Sequence, residues 1–252
     1  MNGKLIFFDI DGTLVSHAGQ SHVPEPTIEA IKLLKQNGHV LAIATGRNWV
    51  LTRKTMEFFG IDLAVCCNGA YLTRGGECLL EKWMPPSFAR FFKEEIVPSS
   101  ERAYALDAVN IYVEQASKSL EDFLVAQVGF DCRKPFAALE RTQGAYTFAP
   151  MPREWEDEAE ITVFKAPSYT EFRPSGVSKW SGILEMASML EIEKEKIVTV
   201  GDGLNDLEMV RDAPFGIAVG GAKEDLKAVA DMVGEDIDEG GILTAFRKLG
   251  MV

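Results

Sequence analysis

Two aspartates two residues apart, Asp9 and Asp11, follow directly on the apolar run Leu5-Ile6-Phe7-Phe8 and precede Gly12. Carboxylates at i and i+2 leave the same side of an extended chain, and a glycine lets the backbone turn away beneath them. So close a pair repels itself unless a cation lies between. A hard, oxygen-seeking ion such as Mg2+ meets that need and keeps positions open for a phosphate. A plain acidic turn accounts for the two residues as well, so the rest of the chain must decide.

Three later stretches place polar groups where apolar runs stop or a helix starts. Thr45-Gly46-Arg47 ends Val40-Leu41-Ala42-Ile43-Ala44; Lys179 stands behind Gly176-Val177-Ser178; and Gly201-Asp202-Gly203-Leu204-Asn205-Asp206 ends the run from Ile197. A threonine hydroxyl beside the free N–H groups of a helix start suits an anion such as phosphate. It equally suits an ordinary helix N-cap. Lys179 also reads as a solvated lysine, Asp202 and Asp206 as caps of the next helix, and Arg47 as a partner for nearby carboxylates or for substrate.

The elements that must position these residues are legible as strand and helix. The run 5–8 reads as a central parallel strand, and ligands bind at the carboxyl end of such strands. Pro24-Glu25-Pro26-Thr27 opens an amphipathic helix closed by Asn37-Gly38. With Val40–Ala44 it makes a βαβ unit of right-handed crossover, which brings Thr45 to the same sheet edge as Asp9. A helix at 49–59 and a strand at 63–67 follow. From Trp83-Met84-Pro85-Pro86 to Arg173-Pro174 the pattern changes. Helix-like pieces near 88–96 and 120–128 join alternating segments at 109–113, 145–148 and 161–164, which predict a sheet with one wet face. The acidic stretch 154–160 reads as a solvated loop. Afterwards come a helix carrying Ile183, Leu184, Ala187 and Leu190, the strand 197–200, a helix, a short strand at 215–219 and a final helical pair.

Composition bounds the function. A chain of 252 residues with 46% hydrophobic and 25% charged residues is globular in type. Its formal net charge of −12 argues against nucleic acid or an anionic membrane as partner. Neither a signal-peptide core nor an apolar stretch of about 18 residues is present, so a cytoplasmic location is expected. Cys66, Cys67, Cys78 and Cys132 lack the paired spacing of a zinc site and read as reduced packing residues. His17, His22 and His39 lie beside no nucleophile signature, which leaves acid–base work to carboxylates.

Together, Asp-Ile-Asp-Gly-Thr, Thr-Gly-Arg, the lone Lys179 and Gly-Asp-Gly-Leu-Asn-Asp resemble the motifs of the haloacid dehalogenase-like superfamily. The insertion between the second and third motifs is similar to the C2-type αβ cap of its Cof-type phosphatase branch. That resemblance implies an α/β fold: a Rossmann-like parallel-sheet core from residues 1–82 plus 175–252, and an inserted α+β cap domain at 83–174. It implies a Mg2+-dependent phosphatase of small phosphorylated metabolites, such as sugar phosphates or phosphorylated cofactors, working through an aspartyl-phosphate. A phosphoryl transferase of the phosphohexomutase type, using the same intermediate, is the alternative. By resemblance Asp9 is the nucleophile and Asp11 the general acid–base. Asp9, the Asp11 carbonyl and Asp202 hold the metal, with Asp206 fixing its surroundings. Lys179, Thr45, Asn205 and the backbone N–H groups of Ile10 and Gly46 hold phosphate, and Arg47 stands behind them. Trp180 departs from the family pattern, where a small residue often follows the lysine, and bears on the pocket rim.

Overall fold

The computed structural model describes residues 3–17, 21–113, 132–148, 156 and 158–252. The helix expected at 120–128 and residues 154, 155 and 157 of the acidic stretch lie outside them. In chain order the strands are β1 (Leu5–Phe8), β2 (Val40–Ala44), β3 (Leu63–Cys66), β4 (Tyr71–Arg74), β5 (Glu77–Glu81), β6 (Arg102–Leu106), β7 (Ile111–Tyr112), β8 (Arg133–Lys134), β9 (Gly144–Phe148), β10 (Ile161–Lys165), β11 (Tyr169–Pro174), β12 (Ile197–Gly201), β13 (Gly216–Ala218) and β14 (Met232–Val233). The helices are α1 (Glu25–Gln36), α2 (Trp49–Phe59), α3 (Phe88–Phe91), α4 (Lys179–Met189), α5 (Leu207–Asp212), α6 (Glu224–Lys227) and α7 (Gly241–Lys248).

The first sheet runs β14-β13-β12-β1-β2-β3-β4-β5. Its members from β14 to β3 are parallel, and the β4–β5 hairpin adds an antiparallel edge. β1 lies between β2 and β12, so the chain winds away from it in both directions and the crevice of a topological switch opens at its carboxyl end. All four β1 side chains are fully buried, as a strand covered on both faces requires. Phe8 pairs with Ile43 on one side and Val200 on the other. That register levels the three strand ends and brings Asp9, Thr45 and Asp202 to one rim.

The second sheet, inserted between β5 and α4, runs β10-β11-β9-β6-β7-β8 and is antiparallel except for β7 with β8. Among the described residues the face expected to be wet is largely covered, with Arg102 exposed and Tyr104, Phe148, Phe164 and Tyr169 half-buried on it. Ala105, Ala145 and Phe172 pack under Phe88 and Phe92, whereas Tyr146 and Leu106 on the opposite face join the apolar cluster of the first sheet. Alternation arose because two different cores, rather than core and water, cover the two sides.

Other expectations were displaced for local reasons. The strand placed at 109–113 contracts to Ile111–Tyr112, because Asp107 Oδ1 accepts from the N–H groups of Val109 and Asn110, both at 2.8 Å, and curls that stretch into a turn. The helix at 88–96 is α-helical only over α3 and then widens into a π-turn at Phe92–Ile96. Trp180 packs in the core cluster with the Lys194 ammonium 5.2 Å from its ring centroid, and so serves packing rather than a pocket rim.

Candidate active site

Gly12 turns the chain after β1 with φ +85°, and a Cβ there would lie 2.3 Å from Asp202 Oδ2. Glycine is therefore required twice over, for the left-handed turn and for the approach of the second acidic loop. Asp202 Oδ1 accepts from Thr13 Oγ1 at 3.1 Å, which ties the two loops together.

Lys179 is the first residue of α4, whose start is fixed by a reciprocal cap between Ser178 and Ser181. Its side chain is 1% exposed, and its ammonium donates to Asp9 Oδ1 at 2.7 Å and Asp206 Oδ1 at 2.6 Å. The solvated-lysine alternative is thereby excluded. Burial alone would lower this ammonium, and the Asp206 and Asp9 carboxylates reverse it, so its pKa is raised. Burial pushes the Asp9 carboxyl up; Lys179 opposes this, and Asp206 and Asp202 add to it. Asp202 is raised to about 6, first by burial and then by Asp206.

Oxygens of Asp9, Asp202 and Asp206 lie within 4.8 Å of one another. Three carboxylates in that space fit a hard divalent ion such as Mg2+. Both Asp206 oxygens already have protein partners: Oδ1 takes Lys179, and Oδ2 takes the N–H groups of Asp202 and Gly203 at 3.0 and 2.9 Å. Asp206 is thus built to fix the loop, which leaves Asp9 and Asp202 the better placed pair for a cation.

Asp11 has different partners. Arg47 Nε donates to its Oδ2 at 2.7 Å and Nη2 to its Oδ1, while His17 Nε2 lies 3.0 Å from Oδ1. Arg47 takes the first of the roles left open for it, a carboxylate partner. His17 was passed over in the sequence because no motif surrounds it; only the fold of the loop after β1 brings it to Asp11.

Thr45 is 1% exposed, and its hydroxyl accepts from the Arg47 N–H at 3.1 Å. It does not cap α2. Asn48 does, accepting from Leu51 N at 3.2 Å, and the Val50 N–H is taken by the Ala108 carbonyl. The Val50 and Leu51 N–H groups at the start of α2 are therefore taken by the loop after β6 and by the helix's own cap, and are not free for the expected anion.

The turn after β3 was not singled out in the sequence. Cys67 and Asn68 have φ of 51° and 48°, and Gly69 has φ +104° with Ser178 O at 2.1 Å from where a Cβ would be. Consecutive left-handed non-glycine residues store strain that only a fixed surrounding sustains. Here Cys67 N donates to Arg47 O and Asn68 N to Thr45 O. The Asn68 side chain donates to Glu171 of β11 at 2.7 Å and accepts from Asn205 Nδ2 at 3.4 Å.

Residues 6–246 match the model of the haloacid dehalogenase-like hydrolases. The chain belongs to that family. Its inserted sheet, together with its likeness to a subclass IIB structure, places it among the capped, Cof-type members. YkrA of Bacillus subtilis (strain 168), provisionally named a phosphatase, is 28% identical over 272 residues that span all of both chains. YcsE of the same organism, named 5-amino-6-(5-phospho-D-ribitylamino)uracil phosphatase, is 23% identical over 97% of this chain and 94% of its own. The structure of BT4131, described as a sugar phosphatase of subclass IIB, superposes with a TM-score of 0.80 at 28% identity, over 99% of this chain and 100% of that one. No helix among the described residues is long and apolar enough to cross a membrane.

Proposed function

We propose that this family phosphatase hydrolyses small phosphorylated metabolites with Mg2+ and by way of a phosphoryl group carried on Asp9. The observation that carries the reading is the buried Lys179 ammonium held between Asp9 and Asp206, with Asp202 beside them at the rim of a parallel sheet. A carboxylate meeting a phosphate dianion at about 4 Å is opposed by about 8 kcal/mol at an effective dielectric of about 20. Lys179 is placed to offset part of that. When bound by Asp9, Asp202 and the Asp11 carbonyl, Mg2+ supplies the remaining positive charge and polarises phosphate oxygens.

Asp9 attacks phosphorus and the phosphorus–oxygen bond to the alcohol breaks. Asp11 donates the proton that the leaving oxygen needs; as a carboxylate it then takes a proton from the water that releases phosphate. Thr45, Asn205 and the N–H groups of Ile10 and Gly46 hold the equatorial oxygens, where fixed donors act most strongly on developing charge. Arg47 orients Asp11, and Asp206 orients Lys179 and the Asp202 loop. Residues 83–174 cover the reaction and meet the organic part of the substrate, as lids do. The relatives named for sugar and ribitylamino-uracil phosphates support that substrate class.

The test is release of inorganic phosphate from a panel of phosphorylated metabolites with Mg2+ and no acceptor sugar. Turnover on several small monoesters supports the reading. Phosphate transfer that requires an added acceptor sugar would favour the mutase-type alternative, and no release from any monoester overturns the proposal.

A further inference from the structure

β11 turns Tyr169, Glu171 and Arg173 to one face, since alternate residues of a strand share a side and Phe172 packs into the opposite cluster. Glu171 is 1% exposed. Its Oε1 accepts from Asn68 Nδ2 at 2.7 Å and from the Tyr146 hydroxyl at 3.1 Å. Its Oε2 is buried and has no partner among the described residues, and the same holds for Arg173 Nε two positions along. A buried carboxylate oxygen without a donor carries the full desolvation penalty, so its retention points to a partner that arrives later.

The surroundings say where that partner sits. Asn68 joins Glu171 to Asn205, and a Cβ on Gly46 would lie 3.2 Å from the Asn68 amide. Burial raises the Glu171 carboxyl, while Arg173, Asn68, Tyr146 and Lys179 pull it back, so the carboxyl senses the lysine of the reacting centre. Beside it, the Tyr104 and Tyr146 rings stack with centroids 4.7 Å apart, and Tyr169 lies 6.1 Å from Tyr146. An orphan acceptor, an orphan donor and an aromatic floor match a ring bearing hydroxyls on its edge and C–H groups on its face.

Resting on the phosphatase reading above, we infer that Glu171 is a specificity residue: its Oε2 accepts a hydrogen bond from a hydroxyl of a polyhydroxylated monophosphate, and this selects sugar-like monoesters over monoesters that lack that hydroxyl. Tyr146 and Asn68 hold the carboxylate in place through the other oxygen.

Glu171→Gln separates this from a purely structural role. Glutamine keeps Oε1 for Asn68 and Tyr146 and replaces only Oε2 with a donor. With Mg2+ present, kcat/KM is measured for a hexose 6-phosphate, its monodeoxy analogues and acetyl phosphate. The unmodified enzyme should lose about tenfold or more on at least one monodeoxy analogue. E171Q should lose about 10- to 100-fold on the parent sugar, the range of one hydrogen bond to a charged group, mainly through KM. It should also erase the deoxy gap and handle acetyl phosphate within about twofold of the original. Should E171Q fail to fold, Glu171→Asp, which keeps the charge but withdraws it, carries the same expectation. The inference is overturned if the unmodified enzyme shows no deoxy gap, if the gap survives in the variant, or if acetyl phosphate falls in step with the sugar. Failure of the unmodified enzyme on acetyl phosphate and every sugar phosphate would instead count against the phosphatase reading itself.

Discussion

Arg47 grips Asp11 by both carboxylate oxygens, Nε on Oδ2 at 2.7 Å and Nη2 on Oδ1, across the loops that follow β2 and β1. Burial raises the Asp11 carboxyl, but the Arg47 hydrogen bonds and charge, helped by His17, outweigh it and leave the group below its ordinary value. A general acid must be protonated when the alcohol leaves, so a lowered pKa draws the alkaline limb of the pH profile towards acid. Arg47→Ala should therefore move that limb to higher pH for an alkyl phosphate. Acetyl phosphate, whose leaving group needs little protonation, should show no such move. Equal behaviour of the two substrates would contradict the orienting role of Arg47.

Removal of the two aspartates should separate the half-reactions. Asp9→Asn is expected to lower turnover by about 10^4-fold or more, as loss of a covalent nucleophile does. Asp11→Asn should still load phosphate onto Asp9 from an activated ester, yet release it slowly, which a rapid-quench burst would reveal. More than about a tenth of the activity left in Asp9→Asn would remove Asp9 from its role.

Lys179 also bears on stability. Two carboxylates flank its ammonium, and all three groups are buried. Breaking a buried ion pair from one side costs about 3–5 kcal/mol because the other charge stays buried and uncompensated. Lys179→Met should lose about that much by urea unfolding without Mg2+ and regain part of it with Mg2+, since a bound cation compensates the same carboxylates. A loss below about 1 kcal/mol, the level of an exposed pair, would be inconsistent with this site.

How far the sequence disclosed this site depends on whether a residue's job is local. That Asp9 and Asp202 converge was legible because each follows an apolar run, and strand ends in a parallel sheet converge whatever the details; Lys179, at a helix start behind Gly176-Val177-Ser178, stood out only through the resemblance of the whole motif set. Asn68 and Glu171 were not legible, although they join the two halves of the site. Asn68 acts from a left-handed turn that no periodicity marks, and Glu171 lies on β11, whose Tyr-Thr-Glu-Phe-Arg-Pro run is too polar to read as a buried strand until the second core covers its other face. The β4–β5 hairpin was missed for a related reason: Arg74, Glu77 and Glu81 give an edge strand no apolar alternation. His17 lies six positions along the loop from Asp11, a separation that only tertiary structure resolves.

Metal binding should respond to acid through Asp202. Its carboxyl is pushed up to about 6 by burial and by Asp206. A ligand must be ionised to bind, so protons compete with the metal below that value and not above it. The Mg2+ concentration for half-maximal activity should rise steeply below pH ~6 and level off in the neutral range. Chelation by EDTA should silence the enzyme and Mg2+ restore it, with Ca2+ a poor substitute because it tolerates irregular coordination. A half-saturation point independent of pH, or full activity in EDTA, would exclude this pair of carboxylates as the metal site.

The last expectation concerns what Glu171 does to the protein that carries it. Its pKa is raised, above all by burial, so the unfolded chain gives up this proton at lower pH than the native one. Between the two values the native state holds more protons than the unfolded state, and stability falls as pH rises through that window. Below the ordinary glutamate range both states are protonated and the carboxyl costs nothing by this route. Glu171→Gln removes the titration while keeping the Oε1 contacts with Asn68 and Tyr146. The difference in melting temperature, variant minus unmodified protein, should therefore grow in favour of glutamine as pH rises from the ordinary glutamate range through the raised native value, then level off. Thermal scans of both proteins across acid to neutral pH without substrate would measure it. A difference that stays constant with pH would mean that Glu171 is ionised without cost, and that its second oxygen already has what it needs.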